Sequence, residues 1–307
     1  MILSVTLNPS LDHALFVDKL KLNDTNRAVK CFKDAGGKGV NLSRVVAELG
    51  GESVATGFLG GGPGSYIRAV LDKQSVAHEF VEVEGDTRVN FSVEDTSELP
   101  PTTFNEPGPL ISEARMEELM GVVQRLAVGS KWVCLGGSLP PSVPKSIYGD
   151  IVDALPNAKI ALDADGEPLT LGLRRRVGLL KPNGPEAERL FGRQLETQTD
   201  LTDAVRWLGE RAEFAFISRG EQGAVLAAEG EVWWGITPNV VAQSTIGSGD
   251  SFIAGFLWSL TSGHSVEVAF RWALAAGAAT AMTDGSEIGR KHVIEKLFDQ
   301  ASVSRTG

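Results

Sequence analysis

The feature that most restricts the fold is an alternation. Short apolar runs rich in β-branched residues take turns with stretches of helical period along most of the chain. Strand-like runs fall at residues 3–7, 53–58, 132–135, 159–164, 178–181 and 214–218. Helical patterns fall at 40–49 (closed by Gly50 and Gly51), 65–73, 113–127, 185–191, 201–211, 250–261 and 266–283. A strand returned to its own sheet by a helix runs parallel to its neighbour. The expected class is therefore α/β, with a mostly parallel central sheet. Residues 223–228 and 231–235 read as a late antiparallel hairpin on the sheet edge.

Two stretches break the rhythm. Residues 12–34 and 86–104 alternate apolar and polar side chains, as in Ala14-Leu15-Phe16-Val17 and Thr87-Arg88-Val89-Asn90, with no helical period. Such segments suit a small second sheet standing off the main one, or an extension of the main sheet. No repeat, linker or low-complexity tract divides the chain, so the expectation is one domain over 1–307 with a lid from about 12–34 and 86–104.

Charge and cysteine usage narrow the function classes. With 39 acidic against 29 basic residues the net charge is −10, which disfavours a nucleic-acid or anionic-membrane surface. Cys31 and Cys134 are too few for a disulfide framework, and the four His show no metal-ligand spacing. The N-terminus lacks the pattern of a signal peptide, and no apolar run reaches the roughly 18 residues that span a bilayer. A cytoplasmic protein is expected.

Two glycine-rich segments carry the chemistry. In Thr245-Ile246-Gly247-Ser248-Gly249-Asp250-Ser251, the amides of Gly247, Ser248 and Gly249 precede a helix and can form an anion hole. Asp250 stands where a general base would stand. In Asp34-Ala35-Gly36-Gly37-Lys38-Gly39-Val40-Asn41, two glycines admit a ligand close to the backbone, and Asn41 lies one turn into the next helix. A P-loop is excluded, because Gly39 follows Lys38 where Ser or Thr is needed. No strand–helix junction keeps the G-x-G-x-x-G spacing, which disfavours a nicotinamide dehydrogenase.

Together these segments resemble the paired signatures of the ribokinase-like (PfkB) carbohydrate kinases. The opening Thr6-Leu7-Asn8-Pro9-Ser10-Leu11-Asp12 is similar to that of the phosphosugar branch of that family. Further matches are Asn105-Glu106-Pro107-Gly108-Pro109, Gly136-Gly137-Ser138-Leu139-Pro140-Pro141 and Lys181-Pro182-Asn183-Gly184-Pro185-Glu186. The resemblance covers essentially the whole chain. It implies a three-layer α/β/α fold with a small β-sheet lid, and transfer of phosphate from ATP to a sugar phosphate with Mg²⁺.

Residue roles follow from the resemblance. Asp250 matches the general base, with Gly247, Ser248 and Gly249 as its anion hole. Asp12, Gly36, Gly37, Asn41, Asn90 and Ser138 match sugar-side positions. Asn183 and Glu186 match the element that orients Mg²⁺, through water, and the nucleotide phosphates. Lys181, Ser218, Gly220 and Gly223 match the ATP side. Lys38, Arg88 and Arg27, in that order, are candidates for pairing the substrate's own phosphate. The Thr87-Arg88-Val89-Asn90 form favours fructose 1-phosphate as substrate, with fructose 6-phosphate and tagatose 6-phosphate as alternatives. A non-catalytic sugar-phosphate sensor is the alternative outside enzymes. Lid strands in this family pair across subunits, so a homodimer is an expectation.

Overall fold

A computed structural model describes residues 1–95 and 102–306. Residues 96–101, inside the second stretch expected to form a lid, lie outside the described residues. The first third of the chain runs β1 (Ile2–Thr6), β2 (Ser10–Phe16), β3 (Lys30–Gly36), α1 (Lys38–Glu48), β4 (Ser53–Leu59), α2 (Gly61–Lys73), β5 (Ala77–Glu82), β6 (Arg88–Glu94) and β7 (Thr102–Asn105). Next come α3 (Glu113–Ala127), β8 (Trp132–Gly136), α4 (Ile147–Ala154), β9 (Ile160–Asp163), α5 (Gly166–Gly172), β10 (Val177–Leu180), α6 (Gly184–Phe191) and α7 (Gln198–Gly209). The last third holds β11 (Ala212–Ser218), β12 (Ala224–Ala228), β13 (Glu231–Ile236), α8 (Ser248–Thr261), α9 (Val266–Ala281), α10 (Lys291–Phe298) and β14 (Ser302–Thr306).

Ten strands form the large sheet, in the order β14-β13-β12-β11-β10-β9-β8-β1-β4-β5. From β5 across to β11 all neighbours are parallel, as the βα rhythm requires. The hairpin β12–β13 is antiparallel and adds to β11. Its outer edge is not free: β14 covers it, a strand the sequence pattern does not reveal. Helices α4, α5 and α10 were likewise not expected; each is only seven or eight residues long.

Strand alternation divides the core into two layers. In Trp132-Val133-Cys134-Leu135, Val133 and Leu135 face the cluster covered by α3, α4 and α7. Trp132 and Cys134 face the other, under α1, α8 and α9. Cys134 is thus a core side chain, and burial pushes its thiol pKa up. On this second face Phe216 of β11 meets Phe252 and Phe256 of α8 edge-on, with centroids 5.0 and 4.8 Å away, and Phe270 of α9 at 5.3 Å. Edge-to-face packing of this kind adds to the burial of the rings. It fixes where α8 begins.

The second sheet is separate, with order β3-β2-β6-β7. Its first strands run from Ser10 to Gly36, two residues wider at each end than the alternating pattern suggests. Strand β2 pairs antiparallel with β3 and parallel with β6. The register sets Asp12 opposite both Asp34 and Asn90.

Candidate active site

The turn from β3 into α1 depends on glycine. Gly37 has φ 114°, a left-handed conformation costly for other residues, and a Cβ there would lie 2.8 Å from Thr6 Cγ2. A Cβ at Gly36 would collide with the Asp12 carboxylate. The loop therefore packs tightly between β1 and the second sheet, which brings Asn41 to Asp250.

Helix α8 enters the same place from the far end of the chain. Gly247 caps it at φ 75°. Among the described residues the Gly247 and Gly249 amides have no protein acceptor, while the Ser248 amide donates to the Thr245 carbonyl at 3.3 Å. Unpaired amides at a helix start attract anions. Asp250 lies in the first turn, buried, and accepts a hydrogen bond from Asn41 Nδ2 at 2.9 Å. Segments more than 200 residues apart thus meet at one carboxylate. Burial, with Asp163 nearby, raises the Asp250 pKa to about 6, against the opposing pull of Lys38, Asn41 and Lys181.

Asp163, at the end of β9, was not singled out by the sequence. Its Oδ2 accepts from Lys38 Nζ at 2.8 Å, and Lys181 Nζ lies 3.7 Å from Oδ1. Burial opposes ionisation of Asp163, but the two ammonium groups outweigh it and hold the carboxyl below its usual range. For Lys38, burial works against the charge, yet Asp163, Asp250 and Glu186 raise its pKa on balance. The one available signal was position: ligands of parallel sheets gather at the carboxyl ends of strands.

The expectation for Lys38 was a sugar's phosphate; its ammonium lies with Lys181 against Asp163, and the residue lines the larger cleft. A cleft of about 1260 Å³ is lined by Lys38, Lys181, Asn183, Ser218, Gly247 and Asp250 among others. Lys181 Nζ approaches Gly249 at the start of α8: a Cβ there would be 3.3 Å from it. Gly220 begins a short 3-10 turn (Gly220–Gln222) at the cleft wall, and Gly223 closes it. Asn183 and Glu186 form a capping box at the start of α6, with Asn183 N donating to Glu186 Oε2 at 2.8 Å.

A second cavity of about 340 Å³ lies against the small sheet, lined by Asp12, Asn90, Asn105, Ser286 and Ile246 among others. The loop at Ile246 separates it from the larger cleft, which Thr245 and Gly247 line. Asp12 accepts from Ser10 Oγ at 2.7 Å and Asn90 Nδ2 at 3.1 Å. Burial raises its pKa; Ser10, Asn90 and Arg88 act against that. Arg88 Nε donates to the Asn8 carbonyl at 3.2 Å, and burial lowers its pKa against the pull of Asp12. Ser138 is exposed and accepts from Asn8 Nδ2 at 3.4 Å. Arg27 is exposed, and neither it nor Arg88 lines either cavity.

A model of the pfkB family carbohydrate kinases matches residues 5–291. The chain is 33% identical to the 1-phosphofructokinase of Bacillus subtilis (strain 168), over 99% of this chain and 100% of that protein. Identity to the 1-phosphofructokinase of Borreliella burgdorferi is 35%, over 92% of each. Phosphofructokinase-2 from Escherichia coli, solved in complex with substrates and products, matches with a TM-score of 0.91 at 28% identity. That match covers 97% of this chain and 98% of the solved one.

Proposed function

The chain belongs to the pfkB family of carbohydrate kinases, sugar phosphotransferases, and on that premise we propose that it converts fructose 1-phosphate and ATP to fructose 1,6-bisphosphate and ADP. The names of the relatives support this choice of sugar. One observation carries the chemistry: Asp250, beside the free amides of α8, lines the larger cleft and is held by Asn41.

In this reading the larger cleft takes ATP and the smaller takes the sugar. Asp250 accepts the proton of the sugar's 6-hydroxyl as that oxygen bonds to the γ-phosphorus. The bond from the γ-phosphorus to the β–γ bridging oxygen breaks, and ADP leaves. The α8 amides and Lys181 stabilise charge on the transferred group, where fixed donors act most strongly. A pKa of about 6 leaves the base ionised at neutral pH yet still able to take a proton. Lys38, locked to Asp163, belongs to the nucleotide side. Arg88 is the cation for the substrate's own phosphate, and Asp12 and Asn90 bind sugar hydroxyls.

Among the described residues no cluster of three or more acidic, His or Cys side chains could cage a metal ion. Mg²⁺ carried by a nucleotide needs only one or two carboxylates beside phosphates and water. Glu186, whose Oε2 is used in the cap while Oε1 has no hydrogen bond to the described residues, fits that need through water. When bound, the ion would neutralise charge on the β- and γ-phosphates.

The small sheet acts as a lid that excludes water, which a kinase needs to spare ATP from hydrolysis. Exposed Val29 and Phe104 near or on its strands support a homodimer through this sheet. The protein is read as cytoplasmic; no helix among the described residues is long and apolar enough to cross a membrane. ADP release with fructose 1-phosphate, fructose 6-phosphate and tagatose 6-phosphate tests the assignment. A higher kcat/KM for either 6-phosphate would overturn the choice of substrate, and no ADP with any of the three would overturn the kinase reading.

A further inference from the structure

Arg44 is charged, its side chain is only 2% exposed, and the chemistry above does not use it. Burying a guanidinium is costly unless its donors are paired. Here Nη2 donates to Asp34 Oδ2 at 2.7 Å, Nη1 to the Ala35 carbonyl at 2.8 Å, and Nε to Gln74 Oε1 at 2.8 Å. Nη1 also faces Asn41 Oδ1 at 3.5 Å, a long contact whose value lies in its sign. Asn41 and Arg44 are three residues apart on α1 and share one face.

An asparagine amide has an accepting and a donating end. With a guanidinium at Oδ1 and the Asp250 carboxylate at Nδ2, one orientation satisfies both. Turned over, the amide would set NH₂ against the cation and oxygen against the anion. Asp34 and Ala35, the other partners, belong to β3 of the small sheet.

We propose that Arg44 is a positioning residue for phosphoryl transfer: it holds the Asn41 amide with its NH₂ toward Asp250 and ties that orientation to strand β3 through Asp34. The inference rests on reading Asp250 as the base. Lys38 from α1, Asp163 from β9 and Lys181 after β10 also face Asp250. Among the described residues, Arg44 makes no hydrogen bond or ion pair with any of them, so its influence on Asp250 passes through Asn41.

The test measures kcat at saturating substrates against pH for Arg44→Lys, Asn41→Ser and the double variant. Lysine keeps the charge but cannot span Asp34 and Asn41. Arg44→Lys should lower kcat about tenfold and move the acid limb of the profile upward, with KM for ATP little changed. Added to Asn41→Ser it should cause no further loss, since the group it orients is gone. An unchanged kcat and acid limb in folded Arg44→Lys overturns the proposal, as does its full effect persisting in the Asn41→Ser background. Should Arg44→Lys fail to fold by circular dichroism, Asp34→Asn takes its place: a smaller change in the same direction supports the role, and an unchanged profile overturns it. Asp250→Asn separates the two readings. Normal turnover there removes the base, whereas an inactive Asp250→Asn beside a normal Arg44→Lys removes only Arg44.

Discussion

Two buried carboxylates line one small pocket, and the fold drives them in opposite directions. Asp163, at the carboxyl end of β9, lies against Lys38 and Lys181 and stays ionised below its usual range. Asp250, at the start of α8, has the same ammonium groups only at longer range and an amide as its direct partner, and its pKa rises to about 6. Both are desolvated, so burial does not distinguish them. What differs is whether a cation touches the carboxylate. A touching cation makes a fixed anion that organises charge; a neutral donor leaves a group able to take a proton.

Removing the base is the harshest way to break this contrast. Asp250→Asn keeps size and hydrogen bonding but cannot accept the proton, so kcat should fall by roughly 10² or more, with ligand affinity by calorimetry largely kept. Near-normal turnover would sink the assignment.

Arg88→Ala works at the far end of the site. It should raise KM for the phosphosugar about tenfold, the worth of one charge-assisted hydrogen bond, while the acid limb of kcat stays in place. A KM equal to that of the parent protein would take Arg88 out of the substrate pocket.

The gentlest probe sharpens the comparison itself. In the parent enzyme, kcat should fall as pH drops through about 6, where Asp250 becomes protonated. Saturating substrate is needed, because a phosphomonoester titrates in the same range. Asp163 is among the groups that raise the Asp250 pKa, so Asp163→Asn should move this limb to lower pH. A limb that stays, or moves up, would contradict the electrostatic coupling of the two acids.

Much of this was legible in the chain. Six strands of the parallel sheet and seven helices follow from periodicity, because side chains facing a core must repeat with the geometry of their element. Strand β5 was not expected, and periodicity left open whether residues 12–34 and 86–104 form a separate sheet. The short elements were not legible: α4, α5 and α10 span too few turns for a period to register, and β14 gains its identity only by pairing with β13. In the site, residues inside glycine-rich motifs were visible, since turns, caps and anion holes are local. Lys38 was visible, but its pairing with Asp163 was not, because the two are 125 residues apart.

By itself, then, the sequence determined the α/β class, the two glycine-rich segments and the identity of the carboxylate that begins α8. Only the tertiary structure decided that Asn41 reaches Asp250, that Asp163 captures Lys38, and that Arg44 is buried against Asp34 of the small sheet. The physical reason is range. Local backbone preference and periodicity act over a few residues, whereas a pKa or an amide's orientation is set by whichever charges packing brings within a few ångströms.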